Sequence, residues 1–374
     1  MPRFIHTADW QIGRQYSRFA PDSAHALAEA RLTTVERIAS LASEEKVDAV
    51  LVAGDVFDTQ TVADLTLRRL FNALAPYSGP WVMIPGNHDA ALAESVWTRA
   101  LRLGAVPANV HLALVPGVIE LPEAGVAILA APLTQRHTHG DLTAWFDGAD
   151  TGPGLARIGL AHGSVEGVLA EDIDSPNPIA ADRTARARLD YLALGDWHGA
   201  KRIDERTWYS GTPEQERFKD NGAGQVLLVT IEAPGALPQV EARPVGQFPW
   251  HQWRIDLTVA TDLDQFIQQL ESLLPHSVLD LHITGQLDLS GHQRLQNALS
   301  VAEARQRSLT WDTADLRLEP TDEDIAALHA DGFVGEVLAE LRERQQGPEG
   351  ETAREALAIL TRHLLEARGG EVAP

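Results

Sequence analysis

The sequence has no cysteine among its 374 residues. Disulfides and thiolate metal sites are therefore excluded, and any metal must sit on oxygen and imidazole ligands. A chain without thiols suits the cytoplasm, where disulfides are rare. Basic residues are scarce: 31 Lys+Arg stand against 53 Asp+Glu, a formal net charge of −22. A protein that grips nucleic acid over its whole surface should be basic. Any contact with nucleic acid must then be local, metal-mediated or supplied by a partner. Long hydrophobic runs are missing as well. The start, Met1-Pro2-Arg3-Phe4-Ile5-His6, lacks the apolar core of a secretory signal. No run approaches the roughly 18 apolar residues of a membrane span. The expectation is a soluble cytoplasmic protein with no membrane partner.

Hydrophobic residues make up 44% of the chain, so a sizeable core can form. From Arg3 to Ile231, short apolar strands alternate with helical stretches such as 23–43, 62–74 and 95–103. That alternation predicts an α/β domain. Residues 110–129 differ, with short β runs broken by Pro116-Gly117 and Glu123-Ala124-Gly125. They predict antiparallel strands, hence a mixed sheet or a sandwich of two sheets. Segments 208–211 and 225–231 read as closing strands.

A Pro/Gly-rich connection over 233–249 predicts a boundary. Beyond it the pattern is strand 250–259, helix 262–274, strand 278–284, helix 290–307 and strand 308–318. This βαβαβ unit of about 70 residues fits a small α+β accessory domain. Asp262 and Ser290 are its expected N-caps. From Thr321 onward the chain reads as helical over 321–330, 332–346 and 351–368. Two apolar stripes run along it, Val334/Val337/Leu338/Leu341 and Leu357/Leu360/Leu364/Leu365, separated by Gly347-Pro348-Glu349-Gly350. Such helices pack on their own domain or on a partner. The expected domains are 1–235, 248–319 and 320–374.

Five short motifs each follow an apolar strand-like run. They are Asp9-Trp10-Gln11, Gly54-Asp55, Gly86-Asn87-His88-Asp89, His162-Gly163 and Gly195-Asp196-Trp197-His198. α/β sheets bind ligands beyond the carboxyl ends of their strands. Carboxylate, amide and imidazole groups delivered to one such edge predict a cluster of two divalent metal ions. Its candidate ligands are Asp9, Gln11, Asp55, Asn87, His162, Asp196 and His198, with His88 free beside it. The expected chemistry is metal-assisted hydrolysis of a phosphoester. In Gly86-Asn87-His88-Asp89 the glycine permits a tight turn, the amide oxygen can ligate, and the next carboxylate can hold the imidazole. His137 and His139 fit a solvated loop better than a substrate contact. In Trp250-His251-Gln252-Trp253 core packing fits better than base stacking.

In their order, these motifs resemble the calcineurin-like metallophosphoesterases, and among them the SbcD-type DNA repair exonuclease subunits. The resemblance rests on His6-Thr7-Ala8-Asp9-Trp10, Ala53-Gly54-Asp55-Val56-Phe57-Asp58 and Pro85-Gly86-Asn87-His88-Asp89. It implies a β-sandwich flanked by helices, a small capping domain and C-terminal helices. It further implies that Asp55 bridges the two ions, that Asp9 and His198 hold the first, and that Asn87 and His162 hold the second. His88, oriented by Asp89, would face the scissile phosphate or the leaving group. The implied partners are DNA, an SbcC-like coiled-coil ATPase that the terminal helices around 336–344 would dock, and a second copy of the chain in a homodimer.

Two positions depart from the family pattern. The first motif usually reads Asp-x-His, and here position 11 is Gln. The last usually reads Gly-His-x-His, and here Asp196 replaces the first His. Two imidazoles thus become oxygen donors, which predicts Mn²⁺ or Mg²⁺ in preference to Zn²⁺. The alternative is a weakened first metal and low activity. Two other functions remain open, a phosphoesterase acting on small nucleotides and a weakly active scaffold protein.

Overall fold

The computed structural model describes residues 1–167, 177–321, 324 and 333–369. The helix expected over 321–330 and the side chain of Leu365 lie outside the described residues. The chain divides into two compact units, Met1–Pro249 and Trp250–Pro374.

The first unit opens with β1 (Arg3–Thr7), α1 (Pro21–Glu44), β2 (Ala49–Ala53), α2 (Asp64–Ala73), β3 (Trp81–Ile84), α3 (Val96–Arg102) and β4 (Val110–Leu112). There follow β5 (Gly117–Leu121), β6 (Val126–Ala131), β7 (Ala156–His162), β8 (Ser164–Val165), β9 (Pro178–Ile179) and the short helix α4 (Arg183–Arg186). It closes with β10 (Tyr191–Gly195), β11 (Lys201–Arg202), β12 (Thr207–Tyr209), β13 (Gln225–Thr230) and β14 (Gln239–Pro244). Two six-stranded sheets result, ordered β14-β13-β1-β2-β3-β4 and β11-β12-β10-β7-β6-β5.

Side-chain alternation along the strands explains the layering. Ile5, Val50, Val52, Trp81 and Met83 face Val35, Ile38, Leu67, Leu70 and Trp97 of the helices α1–α3. Their neighbours Phe4, Leu51, Val82 and Ile84 point the other way and meet Ile128, Ile158, Leu160 and Tyr191 of the second sheet. The far face of that sheet, with Leu129, Ala161 and Leu194, packs on Phe146, Ala187 and Leu189. A β-sandwich flanked by helices is therefore what these residues build. Both central strand sets are buried on two faces, which is why they read as continuous apolar runs.

Three expectations need correction here. Only part of 110–129 is antiparallel: β5 pairs antiparallel with β6, but β4 is a parallel edge strand on β3. Residues 225–231 do not close the unit. The stretch 233–249, expected to be a connection, carries β14, antiparallel to β13 in full register from Gln225↔Pro244 to Thr230↔Gln239. A two-residue alternation hidden between Pro and Gly residues left that strand unread.

The second unit contains β15 (Trp250–Leu257), α5 (Ala260–Ser272), β16 (Val278–Leu287), α6 (Leu289–Arg305), β17 (Ser308–Asp312), β18 (Leu316–Leu318), α7 (Phe333–Arg344) and α8 (Gly350–Gly369). β15, β16 and β17 are parallel, over a core that includes Leu263, Phe266, Ile283, Leu295 and Leu299. The strand expected over 308–318 breaks in two, because the Asp312 carboxylate turns the chain by accepting the Ala314 N–H at 2.9 Å. Both halves pair with β16. The N-caps also differ. Asp262 sits inside the first turn of α5 and reaches back to the Val259 N–H at 2.9 Å, while Asp288 rather than Ser290 caps α6, accepting from Gly291 N–H at 2.6 Å. Trp250 is buried and Trp253 packs against the unit's core, as core packing requires. α7 and α8 pack on each other, with Leu338, Ala353 and Leu357 buried. Among the described residues no helix is long and apolar enough to cross a membrane.

Candidate metal centre

Strands β1, β2, β3, β7 and β10 run parallel within their sheets and end at one edge of the sandwich. The loops beyond them are tied together by backbone bonds: Asp9 N–H to the Gly54 carbonyl at 3.0 Å and Gln11 N–H to the Asp55 carbonyl at 2.9 Å. Asp9, Gln11, Asp55 and Asp196 all adopt positive φ, at 53°, 45°, 51° and 101°. Each such non-glycine residue costs on the order of 1–3 kcal/mol, and such strain collects at functional sites. The crowding is close enough that Gly86 has no room for a side chain. A Cβ there would strike the Asp55 carboxylate and come within 2.8 Å of His162 Cε1.

Asp9, Asp55 and His162 present ligand atoms within 4.8 Å of one another, all three buried. The Nδ1–H of His162 donates to the Ala53 carbonyl at 2.8 Å, which aims Nε2 into the cluster. There Nε2 lies 2.9 Å from Asn87 Oδ1, 3.6 Å from Asp55 Oδ1 and 3.7 Å from Asp196 Oδ1. Asp196 is steadied by the Ser164 hydroxyl at 3.2 Å, and its backbone N–H donates to Asp9 Oδ1 at 3.1 Å.

The electrostatics of this pocket call for a cation. Burial alone would lower the His162 pKa, but Asp55, Asp9 and Asp196 outweigh it and push it up to about 9. Asp9 is raised to about 6, mainly by burial and in part by Asp55 and Asp196, against the pull of His198 and His162. Buried carboxylates that hold a proton on a neighbouring imidazole will yield it to a metal ion. Asp9, Asp55 and His162, with Asn87 and Asp196 beside them, therefore fit a divalent cation.

His88 stands at the rim, 38% exposed at its side chain, with Nε2 3.9 Å from Asp55 Oδ2. Its backbone N–H donates to Asp55 Oδ1 at 2.9 Å. Asp89 does not orient it. The Asp58 carbonyl does, accepting the Nδ1–H at 2.8 Å. Asp89 is buried behind the turn, where it accepts the Gly86 and Phe57 N–H groups at 2.6 and 3.1 Å. Burial, joined by the charge of Asp55, raises its pKa to about 7. His137 and His139 lie exposed on the loop after β6, with Thr138 between them buried against Asn177.

Gln11 and His198 are also at the sheet edge but are engaged elsewhere. Gln11 Oε1 accepts from Arg14 Nη1 at 2.6 Å, and Gln11 Nε2 lies 3.2 Å from His198 Nε2. His198 Nδ1 meets Glu216 Oε1 at 2.5 Å. Glu216 is buried and also receives Arg31 at 2.8 Å and Arg14 at 3.1 Å on Oε2. Burial would raise its pKa, but the His198 bond and the Arg31 and Arg14 charges hold it far below the usual carboxylate range. Arg14, Asp58 and Glu216 also line the candidate site, and the strand-end pattern does not reveal them. Arg14 follows Gln11 by one turn of loop, and Glu216 follows the Gly211-Thr212-Pro213 turn after β12.

A second feature flanks the site. The chain has three lysines, Lys46, Lys201 and Lys219. Two of them place their ammonium groups 4.8 and 5.3 Å from the Trp197 ring, between Asp196 and His198 in sequence.

Residues 2–228 match the calcineurin-like phosphoesterase family. The chain is 25% identical over 289 residues to the SbcD component of the nuclease SbcCD from Bacillus subtilis, covering 67% of this chain and 68% of that one. It is 28% identical over 296 residues to the SbcD component of the same nuclease from Rhodobacter capsulatus, covering 66% and 71%. It is 24% identical over 309 residues to the DNA double-strand break repair protein Mre11 of Methanosarcina acetivorans, covering 76% of this chain but 46% of that one. A match across the whole strand-end cluster decides the matter: the chain belongs to the calcineurin-like phosphoesterase family and is, with it, a metal-dependent phosphoesterase.

Proposed function

We propose that this protein is a DNA nuclease of SbcD type, a metal-dependent phosphodiesterase that works in the cytoplasm in double-strand break repair. The observation that supports it is the cation-seeking group of Asp9, Asp55 and His162 with His88 beside it, in a chain similar to SbcD and Mre11. A bound divalent cation polarises phosphoryl oxygens and lowers the pKa of an attacking water. Asp55, His162, Asn87 and Asp196 would hold that cation, with the Asp9 carboxylate beside them. Oxygen donors outnumber imidazole among them, which favours Mn²⁺ or Mg²⁺ over Zn²⁺. The resemblance implies a second ion on the side of Gln11 and His198. With its Nδ1–H committed to Asp58, His88 keeps Nε2 available to hold a proton for the leaving oxygen.

An acidic chain needs a local site for a polyanion. Trp197 with Lys201 and Lys219 supplies an aromatic face and two ammonium groups next to Asp196 and His198. The remaining partners, an SbcC-like coiled-coil ATPase at α7 and α8 and a second copy of the chain, rest on the resemblance alone. The net charge of −22 favours a second reading, a phosphoesterase on small nucleotides.

One comparison separates the two. The full chain is incubated with Mn²⁺ and given labelled single- and double-stranded DNA or a chromogenic phosphodiester. Cleavage of DNA is expected. Turnover of the small ester alone supports the second reading. Turnover of neither, with metal bound, indicates a scaffold protein. Activity supported better by Zn²⁺ than by Mn²⁺ would overturn the metal preference.

A further inference from the structure

The two halves of the centre are not equally open to a cation. On one side His162 Nε2, Asp55, Asn87 and Asp196 converge on one another. On the other side four side chains form a closed hydrogen-bonded ring. Arg14 Nη1 donates to Gln11 Oε1 at 2.6 Å, and Gln11 Nε2 lies 3.2 Å from His198 Nε2. His198 Nδ1 donates to Glu216 Oε1 at 2.5 Å, and Arg14 Nε closes the ring on Glu216 Oε2 at 3.1 Å.

Each bond of the ring dictates the next. The guanidinium is permanently charged and can only donate, so Gln11 must turn its oxygen toward Arg14. The amide nitrogen is thereby turned toward His198. The Glu216 carboxylate can only accept, so it takes the Nδ1–H of His198, and in the neutral ring Nε2 is then the acceptor that faces the Gln11 amide. Apart from Asp9, whose carboxylate accepts the Asp196 N–H at 3.1 Å, the atoms that could ligate an ion here are Gln11 Oε1 and His198 Nε2, and both are in use. An ion entering would break two hydrogen bonds and sit beside a fixed positive charge. Asp58 Oδ1 at 3.3 Å and buried Glu216 anchor that charge, so it cannot easily swing away.

We infer that this chain holds one tightly bound divalent cation, on the Asp55–Asn87–His162–Asp196 side, and that the Arg14–Gln11–His198–Glu216 ring takes the place of the second. The residues of the ring do not fit the first metal of the two-ion pattern. The substitution at position 11 is then a replacement of an ion by a protein cation and an amide donor, rather than the loss of a ligand.

The test is a metal count on the full chain, loaded with excess Mn²⁺ and desalted. Its readouts are elemental analysis and electron paramagnetic resonance. The wild type should keep one Mn²⁺ per chain, with the spectrum of an isolated ion. Gln11→His combined with Arg14→Ala should keep two and show exchange coupling between them. His162→Ala should keep none. Two coupled ions in the wild type, or no retained ion, would overturn the inference. So would a single ion in the double variant, or retention by His162→Ala. The count does not depend on any substrate. A chain that cuts no DNA yet holds one ion would refute the proposed nuclease and leave this inference standing.

Discussion

The carbonyl oxygen of Asp58 accepts the Nδ1–H of His88 at 2.8 Å, and this one bond sets the tautomer and the direction of the rim imidazole. Replacing His88 by Ala removes the proton carrier but none of the residues around His162. Turnover should fall about 10²–10⁴-fold, the usual worth of a positioned acid or base. Metal content should stay near wild type. Kinetics and elemental analysis on the same preparation check this, and loss of metal would mean that His88 is itself a ligand.

Gly86 sits where a methyl group would collide with the Asp55 carboxylate. Gly86→Ala should therefore displace Asp55 and weaken Mn²⁺ binding by about 10–100-fold, the cost commonly seen when a ligand's support is disturbed. Calorimetric titration measures it. Unchanged affinity would show that Asp55 has more freedom than the packing allows.

Glu216 neutralises Arg31, which is buried in α1 with its Nη1 on the Trp10 carbonyl at 2.8 Å. Glu216→Gln removes the carboxylate paired with that buried guanidinium and leaves it only the charge of Glu214 nearby. Breaking a buried pair in this way costs about 3–5 kcal/mol. Urea unfolding should show a loss of that order, and a loss below about 1 kcal/mol, the level of an exposed pair, would contradict the buried role.

His6 lies at the sandwich interface, with Nδ1 2.9 Å from the Tyr191 hydroxyl and Nε2 donating to the Leu194 carbonyl at 3.1 Å. Burial lowers its pKa from 6.5 to about 3, partly offset by the Leu194 bond. Because the folded value lies below the unfolded one, the neutral imidazole stabilises the fold fully above pH 6.5. That contribution is lost as the pH falls toward 3, about 5 kcal/mol at most. His6→Gln keeps a donor for Leu194 but cannot titrate. Its stability should fall less steeply than wild type between pH 7 and pH 4, and parallel curves would refute the assignment.

Lys201 and Lys219 offer the local positive charge next to the site. If DNA is the substrate, Lys201→Ala with Lys219→Ala should weaken DNA binding and reduce the slope of log affinity against log salt by about 2. The loss on a chromogenic diester should be smaller. An unchanged slope would place the DNA elsewhere.

Much of this architecture can be read from local pattern. Apolar runs ending in Asp9, Asp55, Asn87, His162 and Asp196 mark strands and their exit turns, because period and turn chemistry are properties of neighbouring residues. The same patterning shows the βαβ alternation of the second unit. It fails at β14, at the break after Asp312 and at the cap of α6, where a strand or helix is set by what it pairs with.

The sequence alone is enough to limit metal ligands to oxygen and nitrogen, to place the candidates at strand ends, and to mark Gln11 and Asp196 as departures from the family pattern. It does not say what those substitutions do. Arg14, Gln11, His198 and Glu216 lie at opposite ends of the first unit's sequence, and only the closing of the sandwich brings them into one ring. Which side of the centre can take a cation depends on how these four side chains bond to one another, and only the fold sets that.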